Sequence, residues 1–502
     1  MQIITGMRVT LINPPFTFTR SSDIIFSQCL GILYIAAYLR ENGGHTVTVI
    51  DALFEGNKNA VTLKDGHLRV GLTNEEVIAR IPKDTELIGL SVPFSHLAFL
   101  AHGLACDIKR TFPSVPLVMG GVYPSTQTEL AMQAVADYIV LGEGEVAMHE
   151  LITYLSKQNG NPLPQGVISN NGSQSMGSAV HTYVRNIDTL PFPARDLLPF
   201  EKYASHSPRN TRAWRTASII TSRGCPYDCE FCSVHPVCGY KWRPRSPKNV
   251  LDEIDELSHT YGVNHLEIED DNFTFNRDRA MEILEGIIER NSLPNARGLT
   301  WSTPNGVRID TLDDKLLHAM KRSNCMGINI ALEHGDEEVL KRMRKKLSLS
   351  KVEEVVGLLH KYDIPTDVFV IYGYPGETRK RFENALNFYS KLKQIAPKIE
   401  FLFFIAQPYP GTKLFKRCVQ EGYLDANTFS DIEKISRFST ENKCWIKTKD
   451  FDEEELMWRK QVLMRTLTPE IYWRTKIKNA MPERLIPLGR FIYHTAQKVL
   501  RS

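Results

Sequence analysis

The chain has no long apolar run, little net charge and few cysteines. No uninterrupted run of about 18 apolar residues occurs in its 502 residues, so we expect no transmembrane helix. A net charge of +3 gives no whole-chain attraction to nucleic acid, and we expect no nucleic-acid partner. Nine cysteines are few and odd in number, and residues 1–20 have no signal-peptide pattern. We therefore expect a reducing compartment and a cytoplasmic location.

The common nucleotide-binding motifs are also missing. No G-x-G-x-x-G follows the first predicted strand, and no Walker sequence occurs, which disfavours dinucleotide and nucleoside triphosphate binding. The length exceeds that of one ordinary core and predicts two or three domains.

The first segment, residues 1–158, alternates short apolar strands with helical stretches. This alternation predicts an α/β fold, a doubly wound parallel sheet of Rossmann-like type. Asp65-Gly66 lies between two alternating stretches and predicts a small hairpin after the second strand. The predicted strands of the sheet are Arg8–Ile12, Thr46–Ile50, Glu86–Leu90, Pro116–Met119 and Tyr138–Leu141.

Ligands of such sheets bind at the carboxyl ends of the strands. Glycines at these ends let a large ligand approach the backbone, although they can also serve only to make tight turns. The candidate binding residues here are Asn13, Pro14, Ser91, Gly120, Gly121, Gly142 and Gly144.

A second series of βα units follows a Gly-, Asn- and Pro-rich linker at residues 159–207. The six units in residues 208–422 predict a partial (β/α)6 barrel with its chemistry at the carboxyl ends of the strands. Residues 423–502 predict a small helical C-terminal region. The predicted barrel strands are Ser218–Ser222, His265–Glu269, Thr300–Ser302, Gly327–Leu332, Thr366–Tyr372 and Glu400–Ile405.

Three cysteines occur in one short loop directly after the first barrel strand. Cys225, Cys229 and Cys232 have the spacing C-x₃-C-x₂-C, and such thiolates select iron–sulfur clusters or zinc. A structural zinc site needs a fourth ligand, for which Cys238 and His235 are the nearby candidates. Three ligands would instead leave one iron of a 4Fe–4S cluster open.

This motif, with Phe231 before the last cysteine, resembles the signature of the radical S-adenosylmethionine (SAM) enzymes. The resemblance implies that SAM chelates the open iron and contacts Phe231. It also implies that an external electron donor of flavodoxin or ferredoxin type drives cleavage of SAM to a 5′-deoxyadenosyl radical.

Other strand ends supply further candidates for SAM binding. By position, Asp270 and Asp271 would hold the SAM ammonium group, since the family's usual Gly-Gly-Glu is absent there, and the alternative is a helix N-cap near Asn276. Arg308, also by position, would contact the SAM carboxylate or the substrate. Glu333 lies in a string that resembles the family's Glu-Ser-Gly, whose Glu contacts the ribose. The remaining candidates belong to an adenine-binding loop, Gly373 and Gly376.

The first segment resembles the cobalamin-binding domain of cobalamin-dependent radical SAM enzymes. Many cobalamin domains have an Asp-x-His-x-x-Gly loop, but the nearest string here, Asp65 to Gly71, is one residue too long. We interpret His67 as part of a turn and predict no protein imidazole on cobalt.

The combination implies a methyltransferase that acts on an unactivated carbon, or on phosphorus, of a small molecule. Methylcobalamin would carry the methyl group, and the 5′-deoxyadenosyl radical would remove a substrate hydrogen. The alternatives are a non-methylating cobalamin enzyme of cyclisation, ring contraction or oxidation, and a non-catalytic iron–sulfur or zinc protein.

Two basic segments have mainly structural interpretations. The run Lys341–Lys346 predicts a solvated helix end. Residues 471–502 contain seven basic residues and one acidic residue. This tail predicts a helix over the barrel mouth, or alternatively a peripheral membrane contact.

Overall fold

The computed structural model describes residues 6–19, 24, 26–63, 66–157, 162–170, 176–177, 180–204, 215–294, 296–429, 431–438, 443–470 and 472–473. The described strands are, in chain order, β1 (Arg8–Asn13), β2 (Phe16–Phe18), β3 (Thr46–Asp51), β4 (Ala60–Thr62), β5 (Leu68–Val70), β6 (Leu87–Ser91), β7 (Leu117–Gly120), β8 (Tyr138–Val140), β9 (Val167–Ser169), β10 (Met176–Gly177), β11 (Thr216–Ile219), β12 (Ser222–Arg223), β13 (Arg243–Pro244), β14 (His265–Ile268), β15 (Thr300–Val307), β16 (Cys325–Glu333), β17 (Thr366–Tyr372) and β18 (Glu400–Ile405).

The described α-helices are, in chain order, α1 (Leu30–Gly43), α2 (Ala52–Glu55), α3 (Asn74–Arg80), α4 (Ala98–Thr111), α5 (Val122–Thr126), α6 (Thr128–Ala131), α7 (Gly144–Lys157), α8 (Phe200–Ala204), α9 (His235–Cys238), α10 (Pro247–Thr260), α11 (Arg277–Asn291), α12 (Asp314–Arg322), α13 (Glu337–Arg342), α14 (Leu349–Lys361), α15 (Arg379–Ile395), α16 (Lys413–Gln420), α17 (Ile432–Phe438) and α18 (Glu453–Leu467).

The first sheet has seven strands in the order β10-β9-β8-β7-β6-β1-β3. Its five predicted strands pair in parallel, as the alternation of strands and helices indicates. Successive residues of β1 face opposite sides of the sheet: Val9 and Leu11 pack with α1 and α7, whereas Ile12 packs with α3 and α4. The prediction of a doubly wound sheet is confirmed.

The sequence patterns did not predict strands β2 and β9 of this half. The hairpin of β4 and β5 is confirmed, and β2 adds a third strand to it. Strand β9 pairs antiparallel with β8, so Val167–Ser169 of the predicted linker extends the first sheet. A three-residue strand has no periodicity of its own that a sequence pattern could reveal.

The second sheet contains six parallel strands in chain order, β11-β14-β15-β16-β17-β18. One large apolar core fills the space between this sheet and its helices, with Trp301, Tyr374 and Tyr389 among its most buried side chains. This arrangement confirms the partial barrel, whose strands all direct their carboxyl ends to one mouth.

Helix α18 of the C-terminal region packs against α15 of the barrel. The buried guanidinium of Arg459 forms an ion pair with Glu377, at 3.1 Å between Nη1 and Oε2. Residues 474–502 lie outside the described residues. The prediction about the basic tail concerns this segment and stays a prediction. Within the described parts of the chain, no helix is both long and apolar enough to cross a membrane.

Replacement of Arg459 by Met should destabilise the barrel, because the carboxylate of Glu377 would lose a buried cationic partner. We expect the free energy of unfolding to fall by about 3–5 kcal/mol, measured by denaturant titration. Arg379→Met is the matched control, since that side chain is 60% exposed and lies 4.0 Å from Glu455. An equal loss in both variants would contradict a specific role for the buried pair.

Candidate active site

The carboxyl ends of both parallel sheets meet at one cavity of about 380 Å³. From the first sheet come the end of β6 and the turns after β7 and β8. From the second sheet come Ile220 and Ser222 after β11, and Glu269 and Asp271 after β14. The volume lies in the range of small-molecule sites, and strand ends of both folds are their usual ligand-binding positions.

Five of the seven predicted cobalamin residues line this cavity, namely Ser91, Gly120, Gly121, Gly142 and Gly144.

The structure does not bring Asn13 and Pro14 to the cavity. The Asn13 amide is buried and donates a 2.8 Å hydrogen bond to Asp51, which caps helix α2. The hydroxyl of Tyr203 donates to the other oxygen of that carboxylate, at 2.6 Å. Asn13 therefore has a structural role here, and Pro14 is buried beside it.

Backbone geometry explains why glycine occupies two of the cavity turns. Gly121 and Gly142 have φ angles of +109° and +84°, which side chains rarely adopt. A Cβ atom would lie 2.8 Å from the Val92 carbonyl oxygen at the first position, and 2.5 Å from that of Thr182 at the second. These glycines keep the turns close-packed while their backbones face the cavity.

Gly31 was missed by sequence reasoning, yet it lines the same cavity from the first turn of α1. A Cβ atom there would have no neighbour within 4 Å, so the helix presents a bare surface to the cavity. No histidine is among the described residues that line the cavity, and His67 lies in the hairpin. This wall of glycine backbone and apolar side chains fits a large flat ligand such as the corrin of cobalamin.

Carboxylates between the cysteines anchor the cysteine loop, residues 225–232. Asp228 accepts hydrogen bonds from Lys413 and, at 2.8 Å, from Arg344. Glu230 is buried, accepts from the hydroxyl of Tyr374 and pairs with Arg417 at 3.1 Å. The loop is thereby attached to α16 and to the turn after β17.

Asp270 binds Thr221 and Ser222, which shortly precede the cysteine loop in the chain. Its carboxylate accepts from the Thr221 amide and hydroxyl, each at 2.6 Å, and from the Ser222 hydroxyl at 2.5 Å. Asp271 accepts from the Gly224 amide at 2.9 Å and lines the cavity. Burial raises the pKa of Asp271 to about 6. The N-cap of α11 is Asn276 itself, so neither aspartate serves as that cap.

The cysteine loop has the chemistry of a cluster site. All three thiols are half-buried, and burial raises their pKa values, that of Cys232 to about 12. Arg308 Nη1 lies 3.9 Å from Cys229 Sγ, where a cation stabilises thiolate. No group of three His, Cys, Asp or Glu side chains in the described residues could hold a single metal ion. A 4Fe–4S cluster spreads its thiolates over separate irons.

The two alternative zinc ligands have other surroundings. Cys238 lines the large cavity. The ring of His235 stacks on Tyr240 at 4.1 Å.

Arg308 lies deep in the barrel mouth. Its guanidinium stacks on the Tyr227 ring at 3.7 Å and forms two 2.9 Å hydrogen bonds to Asp310. The guanidinium also donates to the Lys345 carbonyl oxygen at 2.8 Å. Arg308 is thus held between the cysteine loop and the strand ends.

Glu333, at the end of β16, has a φ of +70°, and the pairing with β17 shifts register there. Such an irregularity re-aims a side chain at a functional site. The Lys345 ammonium donates to Glu333 at 2.9 Å, and residue Lys345 as a whole is 3% exposed. The prediction of a solvated run at Lys341–Lys346 is therefore wrong for Lys345, because its partner carboxylate lies inside the mouth.

The predicted adenine loop packs against α18 of the C-terminal region and α13 of the barrel. Gly373 and Gly376 have φ angles of +74° and +90°. A Cβ atom at Gly373 would lie 2.8 Å from Leu456, and one at Gly376 would lie 2.9 Å from Arg342. Phe231 is partly buried against the barrel core.

Two families match the chain in the order that the fold indicates. Residues 27–152 match the B12 binding domain, and residues 219–389 match the radical SAM superfamily.

Three relatives illustrate the range of activities. An uncharacterized methyltransferase of Pyrococcus horikoshii, PH0819, is 30% identical over 449 residues, which is 87% of this chain and 89% of the relative. The cytidylyl-2-hydroxyethylphosphonate methyltransferase of Streptomyces wedmorensis is 28% identical over 83% of each chain. An anaerobic magnesium-protoporphyrin IX monomethyl ester cyclase of Synechocystis is 28% identical over 71% of this chain and 67% of its own.

Two solved structures share the fold. The radical SAM methyltransferase TsrM of Kitasatospora setae, with cobalamin and a [4Fe-4S] cluster bound, has a TM-score of 0.64 at 20% identity, over 83% of this chain and 75% of its own. The cobalamin-dependent radical enzyme OxsB, with aqua-cobalamin and SAM bound, has a TM-score of 0.73 at 18% identity. The match covers 99% of this chain and 72% of OxsB. The chain belongs to the cobalamin-dependent radical SAM enzymes, which use a 4Fe–4S cluster, SAM and cobalamin.

Proposed function

We propose that this enzyme transfers a methyl group to an unactivated carbon, or to phosphorus, of a small molecule. The observation that carries the proposal is the single cavity at which the carboxyl ends of both sheets meet. A methyl carrier on one side and a radical source on the other can act on one substrate only if they share such a space.

The relatives support methyl transfer over the alternatives. PH0819 and the phosphonate enzyme are both methyltransferases by name and match more than four fifths of this chain. The magnesium-protoporphyrin cyclase matches a smaller share and supports non-methylating radical chemistry as the second candidate.

Residues of the first sheet would hold cobalamin, which supplies a cobalt centre able to accept and release a methyl group. The corrin would lie against backbone at Gly120, Gly121, Gly142 and Gly144. Gly31 has no side chain and would leave space beside the corrin. The Ser91 hydroxyl lines the same wall as a polar contact.

Residues of the second sheet would hold the cluster and SAM. Cys225, Cys229 and Cys232 are the cluster ligands, and an electron donor of flavodoxin or ferredoxin type would reduce the cluster. The carboxylate of Asp271 faces the cavity and suits the SAM ammonium group, while Asp270 supports the loop. Asp271 is thus the SAM contact proposed after the second barrel strand, and the other proposed SAM contacts are Phe231, Arg308, Glu333, Gly373 and Gly376.

The three cysteines should bind the cluster as a unit. In the variant Cys225→Ala, Cys229→Ala, Cys232→Ala we expect the loss of about four irons per chain and of SAM cleavage, because no thiolate ligand remains in the loop. Iron analysis and the visible spectrum of anaerobically purified protein measure this. Cys238→Ala is the control and should keep its iron, and retention of iron by the triple variant would refute the assignment.

A side chain at Gly31 should obstruct the cobalamin wall. In Gly31→Phe we expect cobalamin affinity to fall at least about ten-fold, or about 1.4 kcal/mol, measured by absorbance titration of cofactor-free protein. Gly103→Phe is a matched control, since Gly103 also lies in a helix with no atom within 4 Å of its Cβ position, but outside the cavity lining. Equal affinity in the two variants would remove the cavity as the cobalamin site.

Methyl transfer should consume SAM in two roles. With a true substrate we expect S-adenosylhomocysteine and 5′-deoxyadenosine in about equal amounts, because one SAM molecule cannot serve both uses. Liquid chromatography with mass spectrometry measures both, and methyl-deuterated SAM should pass its label to the product. Formation of 5′-deoxyadenosine with substrate but without S-adenosylhomocysteine would favour the non-methylating candidate.

A further inference from the structure

Two arginines lie opposite each other beside the cysteine loop. Strands β12 and β13 pair antiparallel, and their register places Arg223 across from Arg243. Like charges in directly opposed positions repel, so this ribbon needs counter-charges from elsewhere. Arg223 is also two residues before Cys225, which makes its position part of the geometry of the cysteine loop.

Two glutamates from the first sheet provide these counter-charges. Glu143 forms a bidentate pair with Arg243, at 2.7 and 2.8 Å. Arg223 pairs with Glu145 at 2.8 Å and with Glu143 at 3.3 Å. The four side chains are between 4% and 12% exposed, and their charges sum to zero. We name these four residues the interdomain quartet.

The glutamates belong to the turn that we propose for cobalamin. Glu143 and Glu145 alternate with Gly142 and Gly144, and all four residues line the cavity. The turn is also fixed within its own sheet, because the Gly142 amide donates to the Ser125 hydroxyl at 3.0 Å. One end of the quartet is thus built into the cobalamin wall, and the other into the cysteine loop.

Buried bidentate pairs have narrow geometry, since a shift of either partner leaves a charge without solvation. A contact of this kind defines a separation between two elements more sharply than apolar packing does. Reaction rates across a cavity depend steeply on that separation, and a displacement of about 1 Å can cost about 100-fold.

We propose that the interdomain quartet is a positioning device, which sets the distance and orientation between the cobalamin turn and the cysteine loop. Its residues act on the reaction through the two cofactor sites that they join. The connection between the two turns does not depend on the identity of the methyl acceptor. The expected effect on the reaction rate rests on the proposed methyl transfer.

The first test uses cofactor-free protein and does not depend on activity. The variant Arg223→Met with Glu145→Gln removes one pair without leaving a lone charge, and Arg243→Lys keeps the charge but loses the bidentate geometry. In both we expect faster amide hydrogen exchange at Gly142–Glu145 and Ser222–Gly224, with β1 and β17 unchanged. Unchanged exchange at both turns would overturn the proposal.

The second test distinguishes a role of the quartet in positioning the two cofactor sites from a role in folding stability alone. Protein loaded with cluster and reduced cobalamin is mixed with SAM, and single-turnover formation of S-adenosylhomocysteine is followed against SAM concentration. We expect the limiting rate to fall by up to about 100-fold in the double variant and less in Arg243→Lys, with the half-saturating SAM concentration unchanged. An unchanged limiting rate in both loaded variants would overturn the positioning role.

The control is Arg290→Met with Asp255→Asn, which removes a 2.6 Å pair between α10 and α11, two helices of the barrel domain. It should change neither exchange at the two turns nor the limiting rate. If the parent enzyme forms no S-adenosylhomocysteine, the proposed function fails, while the exchange data still decide whether the quartet connects the two turns.

Discussion

The separation between the carboxyl ends of the two parallel sheets is the constraint on which the site depends. Each sheet presents its functional turns at those ends, and chemistry that uses both requires them to face one space. Buried ion pairs between Glu143 and Arg243, and between Glu145 and Arg223, connect the turns directly. Apolar packing builds each half of the enzyme, and these ion pairs connect the halves at the cavity.

Carboxylates also determine the shape of the cysteine loop. Asp270 binds its entrance, and Asp228 and Glu230 anchor the stretch between the cysteines to neighbouring elements. These contacts restrain the loop on the barrel. Restraint of a ligand-bearing loop lowers the conformational entropy that binding costs.

Local patterns predicted much of this structure, and long-range pairings explain what they missed. The strands of both sheets, the cysteine loop and the glycine turns have signals within a few neighbouring residues. Strand β9 has no such local signal. The partners of Glu143 have none either, because Arg243 is 100 residues away along the chain. The charge run around Lys345 predicted solvent exposure because the local pattern does not reveal its buried partner Glu333, 12 residues earlier in the chain. Asn13 was assigned to the ligand because position alone does not reveal a side chain already bonded to Asp51.

Electron paramagnetic resonance can show whether cobalamin and the cluster face one cavity. Protein that contains cob(II)alamin and the reduced cluster together has two paramagnetic centres, whose magnetic interaction depends on their separation. We expect the cobalt signal to be broadened and split when the cluster is reduced, and to return to its isolated form when the cluster is oxidised. Two independent signals, each unchanged by the state of the other centre, would contradict a shared cavity.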